Sequence, residues 1–176
     1  MQQQLSQPRQ FSKLGRQLGE VLKAQGRTMS CAESLTGGTI ASMVAQIAGS
    51  SAYFKGSVTS YAVSVKEQVL GVDVSEGVVS ESTARQMANG VARLLDTDCA
   101  VATTGIAGPG GAEPGKPVGT VCMAAVIRKA DATVDGGYIE QVTSRTFHFE
   151  GDREAVILQS ADAALELLIA YLNENN

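Results

Sequence analysis

The chain has 176 residues, 44% of them hydrophobic and 18% charged, the balance of one globular domain with a substantial core. A formal net charge of −4 and the lack of a basic, aromatic-interleaved patch argue against a nucleic-acid protein. One histidine and three scattered cysteines, Cys31, Cys99 and Cys122, with no Cys-x-x-Cys, argue against a zinc site. The cysteines sit in apolar runs and read as buried thiols of a reducing compartment. No apolar run reaches about 18 residues, so no membrane span is expected. Residues 1–10 are Gln-rich, lack a signal-peptide core and read as a disordered lead-in. A single domain over 11–173 follows, in a protein expected to be cytoplasmic.

Phe11, Leu14, Leu18, Val21 and Leu22 recur at helical spacing before Gly26, which predicts a first helix. Residues 28–32 read as a short strand. Ile40, Met43, Val44 and Ile47 share one face of a helix over 39–48, broken by Gly49-Ser50-Ser51. Residues 57–61 alternate as a strand, and 64–70 form a short helix ended by Gly71. Ser80 is the N-cap of a helix with Ala84, Met87, Ala88, Val91, Leu94 and Leu95 as its apolar stripe. Residues 99–103 lack polar alternation, as in a strand covered on both faces. The Gly- and Pro-rich loop 105–117 is long for a compact domain, and such loops are usually functional. Residues 118–127 and 138–149 read as strands paired through the polar turn 129–137. Asp152 then opens a last helix to about Leu172, with Val156, Ala163, Leu167 and Ala170 on its buried side. The order α-β-α-β-α-α-β-β-β-α predicts a single layered α/β domain with a mixed β-sheet flanked by helices.

Chemistry concentrates where strands end. In Cys31-Ala32-Glu33-Ser34-Leu35-Thr36-Gly37-Gly38 a hydroxyl and a carboxylate meet two glycines at a strand-to-helix turn. Ser34 reads either as a nucleophile or, with Thr36 as the other candidate, as the N-cap of the next helix. As a nucleophile it needs a base: His148, the one histidine, or a lysine of lowered pKa. Backbone N–H groups of the Gly-Gly turn offer an oxyanion site. Tyr61 and Lys66, five apart, either face one cleft as proton relay and base or are a half-buried tyrosine and a solvated lysine. The loop Thr104-Gly105-Ile106-Ala107-Gly108-Pro109-Gly110-Gly111 fits neither the dinucleotide fingerprint nor the P-loop. It reads as an anion nest or as a flexible turn. Arg153 opens the last helix against the helix dipole, which suits an anionic ligand such as phosphate, or pairs with Glu150 or Glu154.

Together these segments resemble the C-terminal domain family of competence-damage-inducible protein A (CinA), the nicotinamide-nucleotide amidohydrolases. The matching pieces are Ala32 through Gly38, Gly49-Ser50-Ser51, Val58 through Lys66 and Val79-Ser80-Glu81. Thr104 through Pro109, Lys116-Pro117-Val118-Gly119-Thr120-Val121 and Gly151-Asp152-Arg153 complete the set, in the family's order from about residue 11 to 172. The resemblance implies the stand-alone form, since no molybdopterin-binding-type domain precedes these pieces. It implies hydrolysis of the carboxamide of nicotinamide mononucleotide (NMN) to nicotinic acid mononucleotide and ammonia, a step of pyridine nucleotide recycling. Ser34 maps onto the family's nucleophile, and Tyr61 and Lys66 onto its tyrosine and lysine. Thr36, Gly37, Gly38, Thr104, Gly105, Ala107, Gly108 and Arg153 map onto substrate-binding positions. No cofactor or metal is implied, no nucleic acid or membrane partner, and a homodimer or higher homo-oligomer is. The alternative class is a non-catalytic module that binds a pyridine nucleotide or a partner, with Ser34 as a helix cap. The chain departs from relatives at Ser60, where many carry Thr before the Tyr, at Ile157, where they often carry a second Arg, and at Leu35, frequently Cys.

Overall fold

The two periodicities resolve, in a computed structural model that describes residues 12–135 and 137–176, into helices alternating with strands. The elements are α1 (Ser12–Gln25), β1 (Met29–Glu33), α2 (Thr39–Ala45), β2 (Phe54–Thr59), α3 (Val63–Leu70), α4 (Glu81–Leu94), β3 (Cys99–Gly105), β4 (Thr120–Ala130), β5 (Tyr138–His148) and α5 (Arg153–Glu174). A 3-10 turn, Ser50–Ala52, precedes β2. The expected lead-in 1–10 and Phe11 lie outside the described residues.

The strands form one sheet in the order β2-β1-β3-β4-β5. β1 pairs in parallel with β2 and with β3, while β4 is antiparallel to both β3 and β5. The mixed sheet with flanking helices is the architecture the element order predicts. Alternation along the strands sends Cys31, Val101, Met123 and Ala125 into a core under α1, α2 and α5. It sends Ala32, Ala100, Ala102 and Ala124 into a second core under α4. Alanine recurs at these second-face positions, so α4 lies close to the sheet. The three cysteines are buried and free, and burial pushes the Cys99 thiol up to about 12.

Several boundaries differ from the sequence reading. α2 ends at Ala45 rather than 48, because Ile47 N–H donates to Val44 O and tightens the last turn. β2 begins at Phe54 and stops at Thr59, so Tyr61 lies outside the strand. β1 ends at Glu33, whose carbonyl takes the Ser60 amide, and Tyr61 has no strand left to pair with. β4 starts at Thr120 rather than 118, after Gly119 turns with φ 93°, and runs on to Ala130 against Tyr138. α5 is long and apolar enough to cross a membrane by length and composition, with a mean hydropathy of 1.6 over its most apolar window. Half of that window is buried inside the domain, and Val156, Ala164, Leu165 and Leu168 belong to the first core.

Candidate functional site

The C-terminal ends of β1, β2 and β3 meet at one edge of the sheet, where open α/β sheets place their ligands. The chain leaves β1 at Glu33 and turns through Ser34 to Gly38 into α2. Gly37 and Gly38 take φ of 58° and 105°, the left-handed region that a side chain disfavours. Ser34 is held on its backbone side, its N–H donating to Thr103 O at 3.0 Å and its carbonyl accepting from Gly37 N–H at 3.2 Å.

Glu33 decides what Ser34 is free to do. Its fully buried carboxylate accepts the amides of Gly38 and Ile40 at 3.0 Å and of Ala41 at 2.9 Å. The Ser57 hydroxyl donates to the same carboxylate at 3.4 Å. A carboxylate against a helix N-terminus is favourable for both. The N-cap position is Gly38, without a side-chain cap bond. The expectation that Ser34 or Thr36 caps this helix is therefore corrected. The Thr36 hydroxyl bonds that of Thr103 at 2.9 Å, and the Ser34 hydroxyl is left for other partners. Sequence reasoning missed Glu33 because it lies five to eight residues before the amides it caps, beyond the local N-cap spacing. The available signal was a carboxylate ending an otherwise apolar strand.

The partner of Ser34 is Lys66. Its Nζ donates to Ser34 Oγ at 2.9 Å, to the Ser60 carbonyl at 2.5 Å and to the Tyr61 carbonyl at 3.5 Å. Lys66 and Leu70, one turn apart, form the buried side of α3. Lys66 is fully buried, which overturns the solvated-lysine reading, and burial pushes its ammonium below the ordinary lysine range. A charged group in that position costs free energy unless it is paired or discharged. No carboxylate is among the hydrogen-bond partners of Nζ.

Above Ser34 opens a cavity of about 370 Å³, lined by Leu35, Tyr61, Val79, the loop from Gly105 to Gly111, Glu113 and Arg153 among others. Where β3 ends and the loop begins, a Cβ on Gly105 would stand 2.7 Å from Thr120 O of β4, so that close approach requires glycine. Arg153 is not paired with Glu150 or Glu154 among the described residues. Its guanidinium donates to Gly108 O at 2.8 Å and to the Tyr61 hydroxyl at 2.7 Å. Tyr61 is 59% exposed, and the direct Lys66–Ser34 contact leaves no gap for its hydroxyl to bridge.

Of the sequence-derived candidates, Ser34, Tyr61, Gly105, Ala107, Gly108 and Arg153 line this cavity, with Lys66 beneath Ser34. Thr36, Gly37, Gly38 and Thr104 are outside the lining. The Gly38 amide is taken by Glu33 and the Thr104 hydroxyl donates to Val78 O. His148 ends β5, away from the lining, so the histidine-base alternative is not assembled. Ile157 packs against the first core and is not a lining residue. No group of three or more His, Cys, Asp or Glu among the described residues could hold a metal ion.

Comparison with known proteins identifies the family. Residues 11–172 match the family model of the CinA C-terminal domain. A nicotinamide-nucleotide amidohydrolase PncC from Enterobacter agglomerans is 39% identical over 171 residues, 95% of this chain and 98% of the relative. A CinA-like protein from Mycolicibacterium gilvum is 44% identical over 147 residues, 81% of this chain. The chain spans about a third of the length of that relative and of the other CinA-like proteins first matched. Among solved structures, competence/damage inducible protein CihA from Agrobacterium tumefaciens superposes with a TM-score of 0.83 at 37% identity, covering 94% of this chain and 97% of that one. A CinA superfamily protein from Klebsiella pneumoniae gives 0.83 at 30% identity, with 93% and 98% covered. The chain belongs to the CinA C-terminal domain family.

Proposed function

We propose that this protein hydrolyses the carboxamide of NMN to nicotinic acid mononucleotide and ammonia, with Ser34 as nucleophile and Lys66 as base. The observation that carries the reading is the 2.9 Å contact between Lys66 Nζ and Ser34 Oγ on the cavity floor. The name of the full-length Enterobacter agglomerans relative supports the substrate. Burial lowers the Lys66 pKa, and in its neutral form the amine keeps two N–H bonds, which the carbonyls of Ser60 and Tyr61 accept. Its lone pair is thereby left to Ser34.

Lys66 takes the Ser34 proton as Oγ attacks the carboxamide carbon. The resulting oxyanion lies against the amides of Leu35 and Thr36, which bond no group among the described residues. The amides of Gly37 and Gly38, expected for this task, are already bonded to Ser34 O and Glu33. Lys66 then returns its proton to the departing nitrogen, ammonia leaves, and water hydrolyses the acyl-Ser34 ester with Lys66 again as base. Arg153, fixed across the cavity by Gly108 and Tyr61, receives the phosphate, and Tyr61 closes the side of the cleft instead of relaying protons.

The test is ammonia release from NMN by the wild type and Ser34→Ala. The expected outcome is turnover by the wild type and a loss of about 10³-fold or more in the variant, with the fold intact by circular dichroism and only the stability cost of the lost Lys66 hydrogen bond. NMN bound without ammonia release by the wild type would overturn the reading and leave the binding-module class.

A further inference from the structure

The cavity above Ser34 carries two opposite formal charges. Among its lining residues only Arg153 and Glu113 are charged, and the remaining lining is glycine, aliphatic side chains, one hydroxyl and one phenol. Lys66 lies below Ser34, outside the lining, with burial driving it toward the neutral form. Arg153 stands at the start of α5, joined to Tyr61 and Gly108. Glu113 stands on the long loop, in a turn closed by two reciprocal backbone bonds: Glu113 N–H to Lys116 O at 3.0 Å and Lys116 N–H to Glu113 O at 2.9 Å. That double closure fixes the backbone that presents the carboxylate. Its nearest counter-charge is Lys116 Nζ at 3.6 Å, with side-chain exposures of 31% for the lysine and 49% for the glutamate. An exposed pair of this kind is held weakly and yields to a better partner.

Resting on the amidohydrolase reading above, we infer that Glu113 is a specificity residue that selects substrates with a cationic ring. The substrate class is then a zwitterion: an N-substituted pyridinium carboxamide whose phosphate meets Arg153 and whose ring charge meets Glu113. Neutral aromatic amides gain only from the apolar walls, and a second anion at the ring is repelled. The arrangement also favours product release. The reaction adds a carboxylate to the ring, so the product meets Glu113 with one more negative charge than the substrate did. Sequence gave no sign of this role, because a lone glutamate in a Gly- and Pro-rich loop reads as solvated.

The experiment separates charge from shape. NMN and its 1,4-dihydro form share phosphate, ribose and carboxamide, but only NMN carries the ring charge. Binding of each to the wild type and Glu113→Gln is measured by calorimetry at moderate salt, beside ammonia release from NMN. The expected result is a Kd for NMN about fivefold weaker in Glu113→Gln, with the dihydro form bound equally by both proteins. Equal loss for the two nucleotides would overturn the inference, since Glu113 would then be reading the sugar they share. No loss for either, with turnover intact, would overturn it while leaving the amidohydrolase reading standing. A wild type that neither binds NMN nor releases ammonia would overturn both.

Discussion

A buried carboxylate and a buried amine flank Ser34, and the fold treats them in opposite ways. Glu33, at the end of β1, meets the amides of Gly38, Ile40 and Ala41, the Ser57 hydroxyl and, at 3.6 Å, the Cys31 thiol. Lys66, on α3, meets two carbonyls and one hydroxyl and no counter-charge. Both are fully buried. For Glu33 the desolvation cost is offset by donors that the start of α2 must satisfy in any case. For Lys66 the partners are neutral oxygens, and burial pushes its pKa down. A charge that is matched builds the turn that presents Ser34, and an amine left without a counter-charge is the base of the proposed mechanism. The contrast separates architecture from chemistry at adjacent positions, and it can be broken from either side.

The largest effect is expected at Lys66. Lys66→Met keeps the length and apolar stem and removes the amine. Turnover should fall by about 10³-fold or more, while thermal melts show stability unchanged or raised, as when buried polar groups give way to apolar ones. The pH dependence gives the same argument a sign. Because the folded-state pKa is depressed, the unfolded chain binds more protons between that value and the ordinary lysine value, so wild-type stability rises with pH across this window. Turnover should rise with pH through the depressed folded-state value and level off while stability is still rising, at a pH below the ordinary lysine range. Lys66→Met should lose this alkaline contribution in denaturant titrations. A variant destabilised at neutral pH would mean that the amine is matched after all, and the contrast with Glu33 would collapse.

Glu33→Gln attacks the other side. The amide keeps the shape, but its NH2 group faces helix N–H groups that need an acceptor. The expected cost is about 2–3 kcal/mol, read from urea titration. Turnover should fall by about 10- to 100-fold through misplacement of the Ser34 turn. Unlike Lys66→Met, this variant loses stability and rate together.

The element order, the mixed sheet and the three strand ends that carry the site were legible because apolar periodicity and glycine stops recorded them. Val101 and Ala102 read correctly as a strand covered on both faces because both point into cores. The burial of Lys66 was not legible. In Val63–Leu70 the valines Val63 and Val69 are exposed while Lys66 is buried, so periodicity points to the wrong face of α3. Glu33 was hidden because its cap bonds reach over the turn instead of along the helix. The partners of Arg153 were hidden because Tyr61 and Gly108 come from distant loops. Tertiary contacts of that kind leave no local pattern.

The smallest effect is expected at Ser57, and it tests which donors carry the Glu33 charge. The Ser57 hydroxyl sits at 3.4 Å from the carboxylate, near the limit of a hydrogen bond, whereas the three amides lie at 2.9 to 3.0 Å. If the helix amides supply the match, Ser57→Ala should cost only about 0.5–1 kcal/mol and leave turnover within about twofold, measured by the same urea titration and ammonia assay. A loss equal to that of Glu33→Gln would mean that the hydroxyl of β2, and not the start of α2, holds the carboxylate. The Ser34 turn would then be anchored to the strand beside it, and rigid presentation of Ser34 would depend on the β1–β2 pairing rather than on the helix that follows.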